Sequence, residues 1–136
     1  MVQENSLMEE LIDLYAEEVD VLAACYERMG NLLNRKRIKN RVEELKLKEL
    51  YIYGGGYLGI QFYYAVKDFI NVISIIDKSG QLLVEVQNVD VIDLNTFQKN
   101  YRGQQIVITP IKHYREIYNE LISYIPENKI MFLEDF

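Results

Sequence analysis

Apolar residues recur at alternating threes and fours from Leu7 through Leu11, Leu14, Val21 or Leu22, Cys25 and Met29 to Leu32. Only Glu18 interrupts this stripe, which predicts an amphipathic helix. Ser6-Leu7-Met8-Glu9 has the form of a capping box at its start, and Gly30-Asn31 marks the expected bend or stop. Ile38, Val42 and Leu45 form a second, shorter stripe. After Leu47 the period changes. Leu50–Tyr53, Val72–Ile76, Val89–Ile92, Gln105–Thr109 and Lys129–Leu133 read as strands, several of them apolar at nearly every position. Continuous apolar strands are those buried on both faces of a parallel sheet. Tyr57–Phe69, Asn95–Tyr101 and 111–125 have helical length and spacing between them, and 82–86 reads as a short excursion.

Strand and helix thus alternate at βαβ spacing over 48–136, behind a helical extension over 1–47. The expected fold is α/β and Rossmann-like. Right-handed crossovers and a switch beside the first strand predict a parallel sheet ordered 3-2-1-4-5.

Charge and composition narrow the class. The chain has 136 residues, enough for one domain that buries roughly 68% of its unfolded surface without a metal or disulfide. One Cys (Cys25) excludes an internal disulfide framework and Cys-rich zinc sites and fits a reducing cytoplasm. No apolar run approaches the roughly 20 residues of a membrane span. The net charge of −6 argues against nucleic acid as the main partner. Residues 1–27 hold eight acidic and no basic side chains, whereas 28–48 hold eight basic ones, including Arg35, Lys36, Arg37, Lys39 and Arg41. With no aromatic interleaved, that basic run is expected to be a solvated face, paired in part with the acidic helix. The apolar stripe of 6–47 spans more turns than one small sheet covers, which predicts a homo-oligomer packed through these helices.

The most specific chemical signal is Gly54-Gly55-Gly56-Tyr57-Leu58-Gly59, a G-x-G-x-x-G loop between a strand and a helix. Asp77 ends the next strand, 18 residues beyond Gly59 and 23 beyond Gly54. In this pattern the first glycine makes the turn, the second lets a pyrophosphate approach the backbone, and the third lets helix and strand pack closely. The helix beginning at Tyr57 and Leu58 would point free N–H groups at the phosphates. Asp77, beside Lys78, would accept from both ribose hydroxyls and repel a 2′-phosphate, favouring NAD or a plain nucleotide over NADP.

The segment from Leu50 to Asp77, LYIYGGGYLGIQFYYAVKDFINVISIID, resembles the Rossmann-type nucleotide-binding domain of bacterial surface-polysaccharide enzymes. These include the amino-terminal domains of nucleotide-sugar dehydratases and dehydrogenases and of sugar-amine acyltransferases. The likeness runs more loosely through Val89 and Ile106–Thr109 to Ile130–Leu133. It implies that Gly54, Gly56 and Gly59 form a phosphate loop for a dinucleotide or a nucleotide sugar, with Asp77 on the ribose or base. The sequence departs from those enzymes in ending at Phe136, without the half that supplies their catalytic groups.

Thr109 and His113 follow the fourth strand, at the edge that faces ligands in open parallel sheets. Thr109 is expected to line the nucleotide cleft, while His113 and Lys112 are placed to touch a phosphate. No acid at a suggestive spacing makes His113 a general acid or base. Tyr63 and Lys67 match Y-x-x-x-K, but on the wrong helix for a short-chain dehydrogenase, so Tyr63 is expected in the core. No metal-binding cluster and no catalytic triad is legible. The expected function is a nucleotide-binding module for NAD or a nucleotide sugar in polysaccharide metabolism. The alternatives are an oxidoreductase or dehydratase completed by oligomerisation, and an interaction domain without ligand.

Overall fold

The computed structural model describes the backbone of residues 2–136 and the side chains from Ser6 onward. Helix α1 (Val2–Leu33) and helix α2 (Arg35–Glu44) lead into strand β1 (Glu49–Tyr53). Then follow α3 (Tyr57–Val66), β2 (Asn71–Ile76), β3 (Val91–Ile92), α4 (Leu94–Asn100), β4 (Gln105–Ile108), α5 (Tyr114–Leu121) and β5 (Ile130–Phe132). The five strands form one parallel sheet in the order β3-β2-β1-β4-β5, as the crossover argument predicts.

The apolar strands are buried on both sides. On one face Leu50, Ile52, Ile75 and Val107 pack with Phe62 and Val66 of α3. Leu32 of α1, Ile38 and Val42 of α2, and Phe136 belong to the same cluster, so the end of α1 and all of α2 cover the sheet. On the other face Tyr51, Tyr53, Ile76, Ile106 and Ile108 pack with Phe97 of α4 and with Ile117 and Leu121 of α5. The connection from β3 to β4 passes over β2 and β1, and the chain reverses direction across the sheet between β1 and β4. Crevices at such a switch, at the carboxyl ends of the strands, are where open α/β sheets bind ligands.

Several local expectations are corrected. Helix α1 already begins at Val2, so Ser6 lies inside it and is not its cap; the preceding residues include no helix breaker. The helix also continues through Gly30 to Leu33, and the break falls at Asn34, whose side chain accepts from Arg37 N–H at 3.1 Å to start α2. Burial of Leu32 and contacts of Met29 with the core offset the roughly 1 kcal/mol cost of a helical glycine. The helix expected over 111–125 is shorter, because His113 takes a left-handed φ of 63° just before Tyr114. The 82–86 excursion has no regular structure, although Val86 is buried.

Among the described residues the basic helix α2 makes no ion pair with the acidic α1. Among the described ion pairs, Arg35 meets Asp68 at the end of α3, and Arg41 meets Glu44 within α2. Arg37 Nε and Arg41 Nε donate to the main-chain oxygens of Phe136 and Asp135, at 2.8 and 2.5 Å. These cations hold the last turn of the chain against α2. No helix among the described residues is long and apolar enough to cross a membrane.

Candidate functional site

Strand β1 delivers its last side chain, Tyr53, to the sheet edge and turns sharply at Gly54, whose φ is +119°. Gly54 N–H donates to Ile76 C=O at 2.8 Å, which continues the pairing with β2 by one residue. On its other side Thr109 N–H and Oγ1–H both donate to Tyr53 C=O, at 3.0 and 2.8 Å. Thr109 is therefore buried beneath the loop, its hydroxyl committed to the backbone. A Cβ on Gly54 would stand 2.5 Å from that hydroxyl, and a Cβ on Gly59 would overlap the Gly54 carbonyl. The first and third glycines thus serve turn and packing, as the pattern requires.

Gly56 is different. It has an ordinary φ of −84° and open space where a Cβ would point. It is the N-cap of α3 and no side chain caps that helix. The first intrahelical bond is made by Ile60 N–H to Gly56 C=O at 3.0 Å, which leaves the N–H groups of Tyr57, Leu58 and Gly59 without helical acceptors. The Tyr57 side chain is exposed, whereas Leu58 packs into the core and Gly59 against Gly54.

Asp77 lies at the end of β2 and is half-buried. Its Oδ2 accepts from Gly55 N–H at 3.0 Å, and its Oδ1 accepts from Ser79 N–H and Oγ–H at 3.0 and 2.6 Å. Burial pushes its carboxyl upward, but the three hydrogen bonds from Ser79 and Gly55 outweigh it and hold the group below the usual carboxylate range. A carboxylate offers about four acceptor sites, so one position, on Oδ2, remains for a ligand. The carboxylate has the capacity for one ribose hydroxyl, not for both. The segment after Asp77 also covers Gly55, with Leu83 N–H donating to Gly55 C=O at 2.9 Å.

Gly54, Asp77, Lys78 and His113 meet in one cleft of about 330 Å³ at the switch between β1 and β4. Tyr53, Pro110, Lys112, Glu116 and Glu120 complete its wall. Its charges are largely paired: Lys78 faces Glu120 at 3.9 Å, His113 Nδ1 lies 2.9 Å from Glu116, and Lys112 reaches back to Glu18 of α1 at 2.6 Å. Glu116 is the acid beside His113 that spacing alone did not suggest; it becomes a neighbour because α5 starts at Tyr114 and puts it one turn away.

Tyr53 was also missed. It is almost fully buried, yet its hydroxyl has no hydrogen-bond partner among the described residues. Burial first, then the nearby charges of Glu120, Tyr124 and Asp77, push its phenol up to about 12. The available signal was its position, as the last inward residue of the strand that enters the glycine loop. Tyr63 is buried as expected, with Lys67 stacked on the neighbouring Tyr64 ring at 5.5 Å. Among the described residues no cluster of His, Cys, Asp or Glu is arranged to hold a metal.

No protein-family model matches this chain, and no curated protein matches it.

Proposed function

We propose that this chain is a nucleotide-binding module, with NAD or a nucleotide sugar as ligand and a role in nucleotide-sugar or polysaccharide metabolism. The observation that carries the reading is Gly56. Backbone strain and packing account for glycine at 54 and 59; at 56 glycine is the N-cap of α3 and leaves open space in which a phosphate would approach the backbone.

The chemistry of the surroundings supports this. The uncapped start of α3 offers N–H donors and the positive end of the helix dipole to a diphosphate. The remaining acceptor site of Asp77 suits one ribose hydroxyl, and its charge disfavours a 2′-phosphate there. Lys78 and Lys112 stand at the rim, each facing a carboxylate that a phosphate would have to displace, with the His113 ring beside them. The metabolic assignment rests on the resemblance of Leu50–Asp77 to surface-polysaccharide enzymes. We also propose that the chain self-associates through α1, because Leu7, Leu11 and Leu14 remain exposed. Helix α2 is excluded from that role, since Ile38 and Val42 are spent on its own sheet.

Calorimetric titration of NAD, NADP, ADP, UDP and a UDP-sugar tests the ligand. Binding of at least one unphosphorylated-ribose nucleotide is expected, and Gly56→Leu should abolish it without unfolding the chain. Unchanged affinity in Gly56→Leu, or no binding by any of the five at millimolar concentration, would reduce the loop to a tight turn.

A further inference from the structure

Helix α1 carries two apolar rows, and its own domain uses only the carboxyl-terminal half of one, leaving Leu7, Leu11 and Leu14 exposed. Val21, Cys25, Arg28 and Leu32 turn toward the sheet and are buried or half-buried. The neighbouring row is Met8, Ile12, Tyr15 and Val19, continuing at the same alternation through Leu22, Tyr26, Met29 and Leu33. The spacing is four, three, four, three without a break from residue 8 to residue 33, which is more than three heptads. Seven of these eight side chains are exposed, Tyr15 by 73% and Leu33 by 74%, and only Met29 is partly covered. An uninterrupted period of 3.5 is the signature of a helix that supercoils around another helix.

We infer that this row is the seam of a parallel two-stranded coiled coil formed with a second copy of the same chain, which deepens the self-association reading above. In heptad terms Ile12, Val19, Tyr26 and Leu33 occupy a, and Met8, Tyr15, Leu22 and Met29 occupy d. β-Branched residues at a with Leu at d favour two parallel strands, a combination met here at Ile12, Val19 and Leu22. Both copies present the same row, so the contact is self-complementary and closes on a two-fold axis.

The acidity of the helix is the obvious objection, and the placement of the acids answers it. Asp13, Asp20 and Glu27 fall at b, and Glu10 and Glu17 at f, on the sector facing away from both the seam and the sheet. The flanking e positions are Glu9, which the register pairs with Glu4 of the second copy at the amino-terminal end, and Ala16, Ala23 and Gly30, small enough for close approach. From Leu11 onward the pairs across a parallel seam are Leu11 with Ala16, Glu18 with Ala23, and Cys25 with Gly30, none of them like-charged. Glu18, the one acid among these, already has the Lys112 ammonium 2.6 Å away. The same acidic sector disfavours an anionic membrane or a nucleic acid as the occupant of this face.

Light scattering on the full chain is expected to give the mass of two chains. The double variant Val19→Asp, Leu22→Asp should halve it while the sheet keeps its thermal transition, because both side chains are exposed and leave the core untouched. Orientation is read by cross-linking in a Cys25→Ser background. Met8→Cys should give a disulfide-linked dimer on oxidation, because an antiparallel pair would hold the two copies of residue 8 at opposite ends, and Asp20→Cys on the outer sector should not. A monomeric wild-type chain overturns self-association altogether. A dimer that survives the double variant overturns the seam, and a dimer that fails to cross-link at residue 8 overturns the parallel arrangement.

Discussion

Gly59 lies against the carbonyl of Gly54 so closely that a Cβ at residue 59 would overlap the Gly54 oxygen. This contact joins the start of α3 to the end of β1 and sets where the helix begins. Gly59→Ala must therefore separate helix and strand, and overpacking of this kind typically costs about 1–3 kcal/mol, sometimes more. Gly54→Ala combines a positive φ with a 2.5 Å approach to Thr109 Oγ1 and should be at least as damaging. Gly56→Ala should be near neutral. Its loss as an N-cap is offset by the roughly 0.4–1 kcal/mol from a stiffer unfolded chain. Urea midpoints at unchanged slope would show two low values and one close to wild type.

The same glycines show why much of this fold was legible beforehand. A strand that enters a glycine loop, a helix that leaves it, and continuous apolar runs at β2 and β4 leave few arrangements once crossovers are right-handed. Helix ends were less legible because they depend on tertiary contacts. Gly30 is held in α1 by Met29 and Leu32 packing on the sheet, and no local rule weighs that against its propensity. Spacing places Asp77 at the end of β2, but its bonds to Gly55 and Ser79 arise from the way the following turn folds back. The heptad row from Met8 to Leu33 was overlooked because the adjacent row is just as apolar; burial of Leu32 beside exposure of Leu33 tells them apart.

Tyr53→Phe separates folding from binding. A buried hydroxyl without a partner carries a desolvation cost of about 1–3 kcal/mol, so its removal should leave the domain equally or more stable. A ligand that fills the cleft and bonds to this hydroxyl would bind the variant more weakly. Opposite signs in thermal shift and calorimetric affinity are expected; a fall in both would mean that the hydroxyl supports the fold itself.

Asp77 makes the loop sensitive to acid. Its folded pKa lies below the usual value, so the unfolded chain binds the proton more readily, and this contribution is complete above the ordinary carboxylate range. It is lost as pH falls through the depressed folded value. Asp77→Asn retains only one of the two carboxylate oxygens and must release either Gly55 or Ser79. The variant should lose stability at neutral pH, show a flatter acid limb, and discriminate less between NAD and NADP. An acid limb identical to that of wild type would show that the staple to Gly55 contributes nothing.

Alkaline pH probes the tyrosines packed between the sheet and helices α4 and α5. Tyr53 is raised to about 12 by burial and by its acidic neighbours, and burial likewise raises Tyr51, Tyr101 and Tyr124. A group whose folded pKa exceeds its unfolded value holds its proton more tightly when folded, so its contribution is fully present below the ordinary value of 10.0. It disappears as pH rises through about 12, where the phenolate would have to form beside Glu120 and Asp77. Wild type should therefore lose stability steeply across this window. Tyr53→Phe should lose less, because one of the four phenols no longer titrates. Urea midpoints followed together with tyrosinate absorbance would reveal the difference, and parallel curves for the two proteins would exclude Tyr53 as a source of the alkaline transition.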